Sequence, residues 1–208
     1  MLKKLSAQKL DEIVEAAITE FAHKGREKAS MKEIASASGV SVGVLYNYYE
    51  NKDALYNAAL EKCFENLKKV ISINTHEAGS ITGLFSRLVD TVYSYADEHS
   101  DYLQLYFSLT QGTEEEASLL AGKFEALSAA EYTQFIEKLQ SEGKIRTDIE
   151  PQTLAYLFDC LLAMLQFAAV VPYYKKHREA YLQKAGTGME ALKQQVLSFL
   201  ASAVGEAK

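Results

Sequence analysis

The chain has 208 residues, 48% of them hydrophobic and 24% charged, with a formal net charge of −6 at pH 7. It is long enough to bury a substantial core, and its composition excludes a disordered chain. Residues 1–52 carry eight Lys/Arg against seven Asp/Glu, whereas residues 53–208 carry fourteen against twenty-one, so the acidity lies almost wholly outside the first quarter and leaves a nucleic-acid-binding face open there.

Cys63 and Cys160 sit far apart in helical patterns without metal-ligand spacing. They are expected to be buried small hydrophobes of a cytoplasmic protein, with no disulfide. The N-terminus shows no apolar signal-peptide core. The stretch from Leu154 to Val171 is the sole membrane candidate, but Asp159 and Gln166 interrupt it. Its uncharged part, from Cys160 on, is too short to span a bilayer, which predicts a buried core helix and no membrane partner.

In chain order, Leu10, Ile13, Val14, Ala17, Ile18 and Phe21 recur at helical spacing and predict a first helix, capped by Ser6 and followed by Gly25. Ser30-Met31-Lys32-Glu33 reads as a capping box opening a second helix. That helix stops at Ser38-Gly39, where glycine permits the left-handed turn. Ser41 caps a short third helix through Tyr49, and Asn51 caps a long fourth one to about residue 74. The turn Ser38-Gly39-Val40-Ser41 between two short helices describes a helix-turn-helix, with Val40 expected to plug the core beside Ile34, Ala35 and Leu45. Helical patterns then recur at about 81–98, 101–111, 114–142, 151–177 and 188–204. Pro151 suits a first-turn position, whereas Pro172 should kink or end its helix. The expected fold is all-α: a three-helix head followed by a larger helical domain, about nine helices in total.

The run Ser38-Gly39-Val40-Ser41-Val42-Gly43-Val44-Leu45-Tyr46-Asn47-Tyr48-Tyr49-Glu50-Asn51-Lys52-Asp53-Ala54-Leu55 resembles the signature of the tetracycline-repressor (TetR) family. The likeness extends upstream through Ile34-Ala35, Gly25, Phe21 and Ala16-Ala17, about a quarter of the chain. It implies a helix-turn-helix DNA-binding domain over residues 1–52, with the fourth helix from 51 as connector. Residues 53–208 would form a ligand-binding and dimerisation domain. It also implies that Tyr46, Tyr48 and Lys52 meet phosphates, with Ser30 and Ser41 positioned beside the backbone at helix N-termini. Base reading would fall to Val42, Gly43, Val44 and Asn47, with Lys32. Gly43 is costly inside a helix, by ~1 kcal/mol relative to alanine, which close approach to DNA would explain. Val42 and Val44 are apolar where hydrogen-bonding residues are common, so methyl contacts and shape readout would carry more of the specificity. Tyr49 stands where phenylalanine is usual and should still fill the core. Tyr46 and Tyr48 could instead be packing residues, Lys52 and Lys32 solvated ones, and Lys3, Lys4 and Lys9 either a DNA-brushing arm or a solvated tail.

Catalysis finds no support. His23, His76, His99 and His177 are scattered, with no i,i+4 pair or nearby cysteine, and no phosphate loop, nucleophile elbow or HExxH occurs. No catalytic residue, metal or cofactor is expected, and Glu114-Glu115-Glu116 reads as a helix N-terminus. The expected partners are double-stranded operator DNA, a second copy of the chain through helices near 151–177 and 188–204, and a small, largely apolar effector. Aromatics mark a candidate pocket: Tyr93, Tyr106, Phe107, Phe124, Tyr132, Phe135 and Phe158, with Asp159 and Gln166 as polar intruders on one helix face. Asp159 needs a partner such as Arg87, a ligand group or a path to solvent. The alternative reading is a stand-alone helical small-molecule-binding protein without operator binding.

Overall fold

The computed structural model describes residues 5–110, 112–120, 122, 125–182 and 188–205. All regular structure among them is helical, in eleven segments: α1 (Ala7–Lys28), α2 (Met31–Ala37), α3 (Val42–Tyr48), α4 (Lys52–Glu77), α5 (Ile81–Glu98), α6 (Ser100–Thr110), α7 (Glu114–Leu120), α8 (Ala126–Ser141), α9 (Pro151–Val170), α10 (Pro172–Leu182) and α11 (Met189–Val204). The count exceeds the expected nine because two predicted helices are each divided. The pattern over 114–142 breaks into α7 and α8. Pro172 ends α9 outright, because the ring pushes Val171 to φ −93, ψ 117 and a new helix starts on the proline itself.

The chain packs as two units, residues 1–66 with 99–117, and residues 67–98 with 118–208. This division differs from a cut at residue 52: by packing, the first half of α4 and all of α6 go with the head.

In the first unit, Ile13, Ala17, Ile18 and Phe21 of α1 are fully buried, together with Ile34 of α2, Leu45 of α3 and Leu55 and Ala59 of α4. These are the positions the apolar periodicity marks. Ser6 accepts from the Lys9 amide at 3.1 Å, closing the start of α1. Its regular course ends at Gly25, with φ 72 and ψ 164, a conformation essentially reserved for glycine. Ser30 accepts from the Glu33 amide, but the reciprocal half of the expected capping box is made differently. The Ser30 amide donates to Glu20 of α1 at 3.0 Å, because α1 runs close enough to supply the carboxylate. Gly39 takes the left-handed turn at φ 66, and Val40, half-buried, donates its amide to Ala35 at 2.9 Å. Asn51 accepts from the Ala54 amide at 2.8 Å and caps α4. Helix α6 lies along α1: Asp101 accepts from Thr19 at 2.6 Å, and the Tyr102 hydroxyl donates to Glu15 at 2.6 Å. Cys63 is fully buried and donates to the Tyr102 carbonyl, and burial pushes its thiol up to about 12, an inert packing role. Cys160 is only half-buried, in the second unit.

The second unit centres on Phe158 of α9, which meets Phe85 of α5 and Tyr132 of α8 edge-to-face, with ring centroids 5.4 and 5.0 Å away. Lys193 of α11 is buried and its ammonium reaches Asp90 of α5 at 2.5 Å. The end of α11 is closed twice, by Gly205 at φ 70 and by Arg146, which donates to the Val204 and Ala203 carbonyls at 2.8 and 3.0 Å.

The Gly25 conformation gives a direct test. Gly25→Ala has room for its methyl group, since no atom lies within 4 Å of the new Cβ. The cost is therefore backbone strain alone, and thermal unfolding should show a loss of about 1–3 kcal/mol. An unchanged melting temperature would contradict the strained geometry.

Candidate nucleic-acid interface

Helix α3 presents its polar and small residues outward. Gly43, Tyr46 and Asn47 are exposed, Val42 and Val44 half-buried, and Leu45 alone is fully buried, anchoring the helix to the head. Ser41 accepts from the Val44 amide at 3.2 Å, so its hydroxyl oxygen serves as the cap while the residue stays exposed. A Cβ on Gly43 would meet nothing nearer than the Ser41 hydroxyl at 4.0 Å. No packing inside the chain requires glycine there. Lys32 on α2 is exposed, and Ser30 is half-buried at the cap of that helix.

Two expected phosphate ligands are engaged within the head. The Lys52 ammonium donates to the carbonyls of Glu27 and Ala29 at 2.7 and 3.4 Å, sealing the turn between α1 and α2. It is neither a solvated lysine nor an unoccupied cation. The Tyr48 hydroxyl accepts from the Leu5 amide at 2.6 Å. Tyr46 is 48% exposed and makes no such bond among the described residues. Tyr49 is half-buried, and burial raises its hydroxyl pKa against the opposing pull of Lys62.

The opposite character marks the groove between α1 and α2, a space of about 580 Å3 rimmed by Asp11, Glu12, Glu15 and Glu33. Its carboxylates would repel phosphate.

Residues 13–59 match the family described as bacterial regulatory proteins, tetR family. The match spans the first helix, the turn and the start of α4. Over residues 13–59 the chain carries the TetR-family helix-turn-helix segment. It is similar to IcaR of Staphylococcus aureus strain Newman, the HTH-type negative transcriptional regulator of the biofilm operon icaADBC. The two are 27% identical over 150 residues, 71% of this chain and 78% of that protein. Among solved structures it resembles the transcriptional regulator FadR from Bacillus subtilis in complex with stearoyl-CoA. There the TM-score is 0.70 at 14% identity, over 94% of this chain and 99% of that one. It also resembles AibR in complex with isovaleryl coenzyme A and operator DNA, with a TM-score of 0.61 at 17% identity over 77% and 85% of the two chains. At these identities the structural likeness shows the all-helical fold. With that segment, the chain is a helix-turn-helix transcriptional regulator and not an enzyme.

The residues proposed for an effector pocket are not all brought together. Tyr106 and Phe107 of α6 pack on each other in the first unit, with rings 5.1 Å apart, while Tyr93, Tyr132, Phe135, Phe158, Asp159 and Gln166 belong to the second. Phe124 lies outside the described residues. Tyr132, Phe135 and Phe158 are buried core. Tyr93 is half-buried and its hydroxyl donates to the Leu165 carbonyl at 3.2 Å. Gln166 is half-buried on the face of α9 it shares with Asp159.

Asp159 is not paired with Arg87, which binds Glu77 instead. Burial, and secondarily the charge of Glu125, raise the Asp159 carboxyl to about 6. Burial also pushes the Tyr132 hydroxyl above its ordinary value, and the Asp159, Glu125 and Glu131 carboxylates add to the shift. A carboxyl with a raised pKa binds its proton more readily in the folded than in the unfolded chain. Ionising it therefore costs stability above about pH 6, and the cost fades as pH falls towards 4. Asp159→Asn should stabilise the chain at pH 7.5 by on the order of 2–3 kcal/mol and have little effect near pH 4. Thermal melts at the two pH values check this, and equal shifts at both would refute the unpaired buried carboxylate.

Proposed function

We propose that this regulator is a TetR-family repressor that binds a palindromic operator as a homodimer in the cytoplasm and leaves it when a small, largely apolar effector binds. The observation that carries the DNA-binding part is Gly43, an exposed glycine in the first turn of α3 that no packing among the described residues demands. Close approach of α3 to a major groove accounts for it, with Val42, Val44, Asn47 and Lys32 at base edges and Tyr46, Ser30 and Ser41 along the backbone. Repression is inferred from IcaR, a negative transcriptional regulator.

The dimer reading rests on unsatisfied apolar surface. Helix α9 has a mean hydropathy of 1.7 over its most apolar window, yet only 33% of that window is buried. Leu157 and Met164 of α9 and Phe199 of α11 stay exposed around an apolar groove of about 500 Å3. A symmetry mate laying its own α9 and α11 there would complete a four-helix bundle. The same helix has the length and composition of a membrane span, but such a dimer covers it without lipid.

For the effector, the acyl-CoA complexes of FadR and AibR support an elongated apolar ligand. Asp159 and Gln166 would be its polar anchors, with Tyr93, Phe135, Tyr132 and Phe158 beside them. Effector binding would alter the spacing of the two heads through α4, and a coupling of ~1–3 kcal/mol is enough for regulation.

A gel shift with the duplex upstream of the chain's own gene tests the reading. A retarded complex that weakens steeply with salt is expected. Binding no tighter than to mixed-sequence DNA would favour a stand-alone small-molecule-binding protein instead. Gly43→Ala should raise thermal stability by about 0.5–1 kcal/mol, through helix propensity, while weakening operator binding. A variant that is stabilised and binds as well as the parent would remove the reason for placing α3 against DNA.

A further inference from the structure

The chain has four arginines, and three are paired with carboxylates: Arg26 with Asp53, Arg87 with Glu77 and Arg146 with Asp148. Arg178 of α10 is the exception among the described residues. It is half-buried, and its Nη1 donates to the Met189 thioether of α11 at 2.7 Å and to the Tyr93 hydroxyl of α5 at 3.5 Å. A thioether is a weak acceptor, and 3.5 Å is the outer limit of a hydrogen bond. The Tyr93 hydroxyl spends its own hydrogen on the Leu165 carbonyl of α9. Most N–H donors of this guanidinium are therefore unspent, in a partly desolvated position where an uncompensated charge is costly.

The neighbouring carboxylates are directed elsewhere. Asp90, one turn before Tyr93 on α5, takes the buried Lys193, one turn after Met189 on α11, at 2.5 Å. Glu190 accepts from Gln194 at 2.8 Å. Glu179 follows Arg178 directly and so points away from it around the helix. Lys175 and Lys176, exposed on the same helix, add positive charge and compensate none. All of these residues belong to the second unit. Beside the guanidinium the surroundings turn apolar: Tyr174, one turn before Arg178, stacks on Phe167 of α9 with ring centroids 5.0 Å apart. No described residue of α10 is buried, so a ligand can reach this helix. A molecule with a charged head and an apolar tail would meet a cation and an aromatic plate together.

We propose that Arg178 is the anion anchor of the effector: it holds one oxyanion group, a carboxylate or a phosphate, on a molecule whose apolar part lies along α9. This rests on the chain having a small apolar effector, and it makes that effector an anionic amphiphile. The planar fork of guanidinium donors matches either oxyanion with two parallel hydrogen bonds.

Three ligands with one tail and different heads test this: octanoate, octyl phosphate and octanol, each titrated into the full chain by isothermal calorimetry. The parent should bind an anionic member about 10- to 100-fold tighter than octanol, the range of a hydrogen-bonded charge pair. The tighter of the two anions identifies the headgroup. Arg178→Gln should abolish that preference while binding octanol as the parent does, which shows the fold and the apolar site intact. Arg178→Lys keeps the charge and loses the fork, and should retain part of the preference. Equal affinity of the parent for all three ligands would overturn the anchor and leave the apolar-effector reading standing. So would an anion preference that survives Arg178→Gln. Loss of octanol binding along with the anions in Arg178→Gln would assign Arg178 a structural role and overturn the anchor as well. A parent chain that binds none of the three would instead sink the effector reading itself.

Discussion

Burial of one face of α1 is the constraint on which the head depends. Ile13, Ala17, Ile18 and Phe21 are excluded from water together, as are Ile34 of α2, Leu45 of α3 and Leu55 and Ala59 of α4. At ~25 cal/mol per Å2, the apolar area buried by four such side chains outweighs any single polar contact in the unit. The polar contacts decide orientation. Glu15, on the flank of the stripe, accepts from the Lys62 ammonium of α4 and from the Tyr102 hydroxyl of α6, both at 2.6 Å. Asp101 at the start of α6 similarly takes Thr19 and His23 of α1. The helix that presents α3 is thus the one gripped by α4 and α6, the elements leading to and from the rest of the chain.

Electrostatic partition within the head follows from the same arrangement. Asp11, Glu12, Glu15 and Glu20 of α1 line the α1–α2 groove with Glu33 of α2, and Asp11 and Glu15 also hold Lys62 of α4. The lysine at the start of α4 is spent on the carbonyl ends of α1, where a cation satisfies the helix terminus. The family likeness assigns that lysine to phosphate. Here its first task is structural, and any DNA contact must be shared with, or taken from, the Glu27 and Ala29 carbonyls.

Features set by local chemistry were legible in the sequence. The caps at Ser6, Ser41 and Asn51, the left-handed turn at Gly39 and the break before Pro172 all follow from residue type and neighbours, and each stands where the pattern put it. Features set by distant packing were not. That Glu20 rather than Glu33 takes the Ser30 amide depends on where α1 passes. That Arg87 turns to Glu77 and leaves Asp159 without a cation depends on the α4–α5 corner. An aromatic at helical spacing looks alike whether it fills a core or lines a pocket. Tyr132 and Phe158 prove to be core neighbours, and the α9–α11 groove was foreshadowed only by the excess of apolar residues around α9. The apolar residues at 42 and 44 are only half-buried, so the methyl contacts expected of them keep some accessible surface.

The central claim is that the α3 face is the surface that meets DNA. Amide hydrogen exchange of the full chain, with and without the duplex upstream of its own gene, tests it most directly. The account predicts added protection at residues 41–48 and at the start of α1, with the α1–α2 groove around Asp11 and Glu33 unchanged. Protection confined to that groove, or to α10, with residues 41–48 exchanging as in the free chain, would contradict it.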